Sequence, residues 1–250
     1  MLKTAARRLM KGIMGQRTHI GDYVRSIHLR SQMTKLPLEQ FTTVLDAGCG
    51  DGHHALEIAR RFPHLLVTGV DLNMGGPPIG PLPSNISLLR ADLLAPIGEG
   101  TYDFIYSIDV LEHIPNNLRA LDNICGAVKT GGYLLLHLPA GTGGKGIFPA
   151  RFLRTFHAWA EGEHIGEFRT LQQMESALQN RGFEVKESKH TFGFVGILAW
   201  ELDRMTDGNI VLKTLLMPFL KGLGRLSAAL HPAQGDLLLV AKKLTGPVCL

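Results

Sequence analysis

Asp46 stands directly before three alternating glycines, Gly48, Gly50 and Gly52, and a β-favouring run (Thr42, Thr43, Val44, Leu45) leads into it. A helical stretch from His53 to about Arg61 follows. Glycines at this spacing let the backbone turn sharply and let a ligand approach the main chain, because no Cβ is in the way. The helix start beyond them adds unpaired N–H groups and a partial positive charge, which suit an anionic ligand group. A dinucleotide is one candidate, but its fingerprint is G-x-G-x-x-G. Here His53 takes the third position and the last glycine comes one residue early, at Gly52. Asp46 is the sharper clue: a carboxylate in that place repels a pyrophosphate and holds an ammonium group.

Further acids recur at the ends of apolar runs. Leu65–Asp71 reads as a buried strand, and Asp71 lies 23 residues past Gly48. A carboxylate at the tip of a second parallel strand accepts hydrogen bonds from ribose hydroxyls; the alternative is a turn-forming aspartate. Ile86–Leu93 reads as the next strand, closing on Asp92. Tyr102–Ser107 is a fourth strand that runs into Ile108-Asp109-Val110-Leu111-Glu112-His113-Ile114. A helix to about Val128, a turn at Lys129–Gly132 and a fifth strand, Tyr133–Pro139, follow. Apolar strands alternating with helices imply a parallel sheet covered on both faces. In such sheets ligands sit at the carboxyl ends of the strands, where strand order reverses. Asp46, Asp71, Asp92 and Ser107–Asp109 all fall at those ends.

The segment D-A-G-C-G-D-G (Asp46–Gly52) resembles the first motif of the class I S-adenosylmethionine (SAM)-dependent methyltransferases. The V-L-E-H-I segment (Val110–Ile114) is similar to the subgroup that includes ubiquinone- and menaquinone-type methyltransferases, and Lys129–Gly132 is close to that family's L-K-P-G-G turn. The resemblance covers roughly residues 40–192 and 235–243. It implies an α/β fold: a doubly wound, seven-stranded, mainly parallel sheet with helices on both faces. The last strand, Asp236–Lys242, then runs antiparallel beside the fifth. It also implies SAM as cofactor, held by Asp46, Gly48, Cys49, Gly50, Asp71, Leu72, Asp92, Leu93, Ser107 and Asp109. In the family the pair matching Asp92-Leu93 meets adenine, the acid taking the exocyclic amine. The chain departs from the family over residues 72–85. Breakers there replace a helix, and only Asp71-Leu72-Asn73-Met74 of the usual D-x-S/N-x-x-M start is kept.

Methyl transfer from a sulfonium is an in-line displacement, so holding the reactants in line can supply on the order of 7–11 kcal/mol. A general base adds about 10²–10⁴-fold where the nucleophile is a hydroxyl. His113 follows the fourth strand, near where the sulfonium is expected, and imidazole is the side chain suited to proton transfer near neutral pH, so it is the candidate base; the alternative is a histidine that starts a helix or shapes the pocket. His137 is expected inside the sheet or at its rim, and His164 on the loop side. His53 and His54 face either the cofactor or solvent. Glu112 and His113 alone are no metal site, and no metal is expected. The place after the fourth strand reads Ser107-Ile108-Asp109-Val110 rather than the [N/D/S]-P-P-[Y/F/W] of base- and amide-N-methylating enzymes, and the paired cysteines of cytosine-C5 enzymes are absent. The expected acceptor is a small or lipid-linked molecule methylated at a hydroxyl oxygen, with carbon or nitrogen open. Ring methylation of a prenylated quinone precursor, a SAM-binding scaffold without turnover, and an NAD-dependent oxidoreductase are the other readings, the last disfavoured by His53 and Asp46.

Of 250 residues with a net charge of +4, residues 1–21 hold Lys3, Arg7, Arg8, Lys11 and Arg17 and no acid. The remainder is near neutral, at 21 basic (26 less those five) against 22 acidic residues. The basic pI therefore belongs to an N-terminal arm, and nucleic acid is an unlikely partner for the body of the chain. Three cysteines (Cys49, Cys125, Cys249) without a C-x-x-C pair suit a reducing, cytoplasmic setting and argue against structural zinc. No apolar run reaches the ~18–20 residues that span a bilayer, and the first residues show neither the apolar core nor the cleavage site of a secretory signal, so none is expected. The expected organisation is a helical arm at 1–36 and a methyltransferase domain at 37–250 with an insertion at 193–232. Residues 2–14 form a basic amphipathic pattern: an arm for anionic membrane, a solvated helix, or a transit-like presequence. Residues 151–160 are aromatic and basic. The insertion is either a helical pair burying an apolar stripe or a lid or membrane-facing patch. Pro218, Gly222 and Gly224 are expected to bend or divide its second helix.

Overall fold

The computed structural model describes residues 19–74, 81–139, 147–149, 165–167 and 169–245. The expected arm at 1–15, part of the 72–85 loop, residues 151–160, His164 and Cys249 lie outside the described residues. The described chain separates into two compact units.

One unit is helical and holds α1 (Ile20–Met33), α5 (Gly193–Met205) and α6 (Ile210–Ala229). Its core is Ile20, Ala199, Met217 and Leu220, flanked by Tyr23, Trp200 and Leu223. Gly224 permits close packing of α6 on α1: a Cβ there would stand 3.1 Å from Val24 Cγ2. The α6 helix runs through Pro218 as one element, so of the two expected outcomes, a bend or a division, the division does not occur. Burial of Met217, Leu220 and Gly224 on either side of the proline accounts for this, since packing outweighs local propensity. The start of α1 is fixed electrostatically. Asp203, fully buried, accepts a hydrogen bond from the Ile20 N–H (2.9 Å) and pairs with Lys213 (3.1 Å), and Lys213 also reaches Asp207 (2.6 Å). Elsewhere in this unit the buried Glu201 carboxylate accepts from the N–H groups of Ile147 and Phe148 at 3.0–3.1 Å. No helix among the described residues is long and apolar enough to cross a membrane.

The other unit is the α/β body: β1 (Thr43–Ala47), α2 (His53–Arg61), β2 (Leu66–Asp71), β3 (Ile86–Arg90), β4 (Tyr102–Ile108), α3 (Asn117–Ala127), β5 (Val128–Leu138), α4 (Leu171–Gln179), β6 (Phe183–Thr191) and β7 (Asp236–Lys243). These seven strands form one sheet in the order β3-β2-β1-β4-β5-β7-β6. The first five are parallel in their pairings, and β7 lies antiparallel to β5. Strand order thus reverses between β1 and β4, as the alternation of apolar strands and helices requires. Leu45, Ala47, Ile105, Leu134, Leu136 and Leu138 bury one sheet face against Leu121 and Ile124 of α3 and Met174 and Leu178 of α4. The opposite face carries aromatics, with Phe41 against Phe104 (6.5 Å) and Tyr133 (5.8 Å). Asn116 caps α3, and Thr170 with Gln173 forms a capping box on α4.

Two boundaries differ from the sequence reading. β3 ends at Arg90, so Asp92 lies two residues beyond the strand rather than at its last position. Lys129–Gly132 is not a free turn but part of β5, where the register with β4 slips between Tyr102 and Phe104. Gly131, at φ 78°, lets the strand bulge there.

Candidate active site

The loop after β1 is shaped by its glycines in two different ways. Gly48 and Cys49 donate their N–H groups to Val70 O at 2.8 and 2.9 Å, which folds the loop over the end of β2. Gly48 has φ 89°, and a Cβ on it would lie 2.2 Å from Val110 Cγ2; at Gly52, φ 74°, it would lie 2.7 Å from Leu88 Cδ1. Those two positions are glycine because other side chains occupy the space. At Gly50, φ 57°, no atom of the described residues stands within 4 Å of where a Cβ would be. The loop is therefore open at Gly50, a cradle into which a ligand can approach main chain.

Around that cradle the charges are acidic. Asp71, at the end of β2, accepts the Gly50 N–H through Oδ2 (2.8 Å) and the Asn73 N–H through Oδ1 (2.8 Å). Each carboxylate oxygen keeps a second lone pair, so the group can hold the loop and still receive a hydroxyl. Asp46 is buried in β1, in register with Tyr106 of β4. Burial and then the Asp46 carboxylate push the Tyr106 phenol well above its ordinary range. Burial, followed by Asp46 and Asp71, likewise pushes the Cys49 thiol up. The fields of these acids converge on the glycine loop, and such a site favours a cation over a pyrophosphate.

The other expected residues sort by environment. Asp92 is exposed, with Oδ1 accepting the Leu94 N–H at 2.9 Å. Leu93 is buried in the core cluster beside Val70, whereas Leu72 is half exposed. Ser107 is buried and donates its Oγ–H to Ala47 O at 2.8 Å, tying the ends of β4 and β1 together. Asp109, at φ 52°, places Oδ1 2.6 Å from His137 Nδ1. His113 ends the 3₁₀ turn Leu111–His113, its side chain one-third exposed. Topology thus brings Asp46, Asp71, Asp92, Ser107 and Asp109 to one edge of five adjacent parallel strands. The Asp109–His137 pair and the seating of Val110 on Gly48 were not read from sequence. Both depend on β4 lying between β1 and β5, which no local pattern states.

The residues present fit SAM on these grounds: an open left-handed cradle at Gly50, converging carboxylates for a cationic nucleoside, and a ribose-competent acid at the second strand tip. An α/β sheet with this strand order and an acid-rimmed glycine loop at its carboxyl edge defines a Rossmann-like nucleoside-binding domain. Comparison with known proteins narrows the class. A methyltransferase domain family model matches residues 19–188. A methyltransferase of Strobilurus tenacellus is 34% identical over 110 residues, covering 43% of this chain and 39% of the relative. A trans-aconitate 2-methyltransferase of Rhodopseudomonas palustris is 31% identical over 114 residues, covering 44% and 43%. The chain therefore spans about two fifths of the length of these curated relatives. Among solved structures, a phosphoethanolamine N-methyltransferase 2 of Haemonchus contortus in complex with SAM has a TM-score of 0.62 at 20% identity, covering 97% of this chain and 57% of that one. A putative sarcosine dimethylglycine methyltransferase of Galdieria sulphuraria has a TM-score of 0.60 at 14% identity, covering 96% and 98%. At these identities the structural likeness concerns the fold alone. The chain belongs to the methyltransferase domain family, and its class is that of the class I SAM-dependent methyltransferases.

Proposed function

We propose that this chain moves the methyl group of SAM to a small or lipid-linked acceptor at a hydroxyl oxygen. The observation that carries the reading is the open cradle at Gly50, bordered by Asp71 and by the field of buried Asp46. SAM supplies an electrophilic methyl group on a cationic sulfur. In this reading Asp46 attracts the amine, and the main chain of Gly48, Cys49 and Gly50 cradles the amino-acid end. Asp71 receives the ribose hydroxyls beside Leu72. Asp92 takes the adenine amine over Leu93, and Ser107 and Asp109 form the far wall. His113 accepts the acceptor's proton, while the protein holds oxygen, carbon and sulfur in line. Support for a small, oxygen-bearing acceptor comes from the trans-aconitate 2-methyltransferase relatives. The test is release of S-adenosylhomocysteine across an acceptor panel of hydroxy acids, polyketide-like alcohols, prenylated quinols and amines. Turnover on the amines alone would contradict the oxygen reading, and no turnover on any acceptor would leave the SAM-binding scaffold.

A peripheral membrane position is favoured by the exposed apolar side chains of α6. Leu212, Leu215, Phe219 and Leu226 are exposed along it. Besides Lys213, which is buried and paired with Asp203 and Asp207, the twenty-residue helix carries Lys221 and Arg225 and no acid. An apolar face with cations and no carboxylates suits the headgroup region of an anionic bilayer. The sequence of residues 1–15 adds Lys3, Arg7, Arg8 and Lys11 with no acid. Removing residues 1–15 is expected to reduce co-sedimentation with phosphatidylglycerol vesicles several-fold, because each juxtamembrane cation contributes about 1 kcal/mol. Equal binding of both forms would discard the arm.

A further inference from the structure

The Asp109–His137 contact is not used by the reading above, although it sits within the site. Asp109 has φ 52°, a left-handed conformation unfavourable for a residue with a side chain and kept only where surroundings impose it. Among the described residues, two bonds tie it to His137. The Asp109 N–H donates to His137 O at 2.8 Å, and Asp109 Oδ1 lies 2.6 Å from His137 Nδ1. His137 is itself buried in β5, in register with Ile108 of β4 and Leu238 of β7. The next residue, Val110, fills the place where Gly48 would carry a side chain. Val110 O also accepts the His113 N–H at 3.0 Å. A chain of contacts thus runs from a rigid interior strand, through one strained residue, to both the glycine loop and the candidate base.

We propose that Asp109 and His137 form a positioning latch: His137 holds Asp109 in its left-handed conformation, so that Val110 seats the glycine loop. This rests on the SAM-dependent reading of the same site. Neither residue acts on reacting atoms in this role. The latch sets how well the loop is formed before SAM arrives, so its loss appears in SAM affinity and in KM for SAM more than in kcat. Asparagine at 137 can still offer an N–H toward Asp109, and glycine at 109 reaches φ 52° without a latch.

The experiment is calorimetric titration of SAM, with steady-state kinetics and thermal melts, on the full chain and its variants. His137→Leu is expected to weaken SAM binding about 10- to 100-fold, the size of one lost hydrogen bond to a charged group. His137→Asn should stay within about threefold of wild type. Adding Asp109→Gly to His137→Leu should recover part of the lost affinity. Where His137→Leu fails to fold, His137→Ala replaces it, with the same weakening expected, and His137→Asn remains the conservative partner. Unchanged SAM affinity in a folded His137→Leu protein would overturn the latch. So would a collapse of kcat at unchanged affinity that asparagine does not rescue, since His137 would then act on the reaction itself. A wild-type chain that binds no SAM would overturn the functional reading and the latch together, whereas binding in wild type with no response in the variants removes the latch alone.

Discussion

Gly48→Ala is expected to weaken SAM binding by 30-fold or more. Two costs combine at that position. The backbone sits at φ 89°, and the new methyl group would stand 2.2–2.9 Å from the Val110 side chain. A left-handed conformation costs an L-residue roughly 1–2 kcal/mol, and overpacking a tight contact adds typically 1–3 kcal/mol. Together that is about 2–5 kcal/mol, which is about 30- to several thousand-fold if the loop is displaced from its binding form. Val110→Ala in the same chain should return the overpacking part and leave the conformational part. Gly50→Ala provides the contrast, because no atom of the described residues lies within 4 Å of its added methyl. It should leave the unliganded protein within about 1–2 kcal/mol of wild type and still impair SAM binding, since the methyl takes space meant for the ligand. Isothermal calorimetry beside thermal melts separates the two variants. Equal SAM affinity in Gly48→Ala and wild type would mean that this loop is not the cofactor loop.

The largest expected effect on stability lies in the helical unit. Lys213→Met leaves the buried carboxylate of Asp203 without its ammonium partner, and breaking a buried pair from one side costs about 3–5 kcal/mol. The double variant Lys213→Met/Asp203→Asn should recover much of that, because removing both charges of a buried pair is often close to neutral. Denaturant melts of the two variants and wild type measure the difference. The pH dependence follows from Asp203. Burial alone would raise its carboxyl, but the His19 ring, Lys213 and the Ile20 N–H more than offset this and hold it below the ordinary range. A carboxylate with a lowered folded pKa contributes stability that is present above the unfolded value, about 3.9, and lost as pH falls through the folded one. The advantage of wild type over Lys213→Met should therefore be full at neutral pH and shrink on acidification below about 4. An advantage that does not change between pH 7 and pH 3 would contradict the pairing.

Much of the α/β body was legible because parallel strands buried on both faces must be apolar runs, and the acids that close them stand out against that background. Leu66–Asp71 and Tyr102–Ile108 are examples, and the antiparallel Asp236–Lys243 is another. What escaped the sequence depends on neighbours far along the chain. Asp109 reads as one more acid at a strand end; only the β4–β5 pairing brings His137 against it and forces its backbone left-handed. Asp203 and Lys213 sit in a segment whose apolar pattern dominates, so their pairing was invisible until α5 and α6 packed. Pro218 misled in the other direction: helix propensity counts against it, yet burial of the residues around it keeps α6 whole. The Lys129–Gly132 stretch carried turn chemistry and became a bulge in β5, because a bulge uses the same glycine conformations as a turn.

At the centre of the account is one claim about Asp71: its carboxylate holds Gly50 in place and receives the ribose of SAM. The direct measurement is calorimetric titration of SAM into the wild-type chain and into Asp71→Ala, with thermal melts as a check on folding. The account predicts one SAM site in wild type and a loss of about 1–3 kcal/mol, roughly 5- to 150-fold in affinity, in the variant. Equal affinity in two well-folded proteins, or no binding to wild type at all, would contradict it.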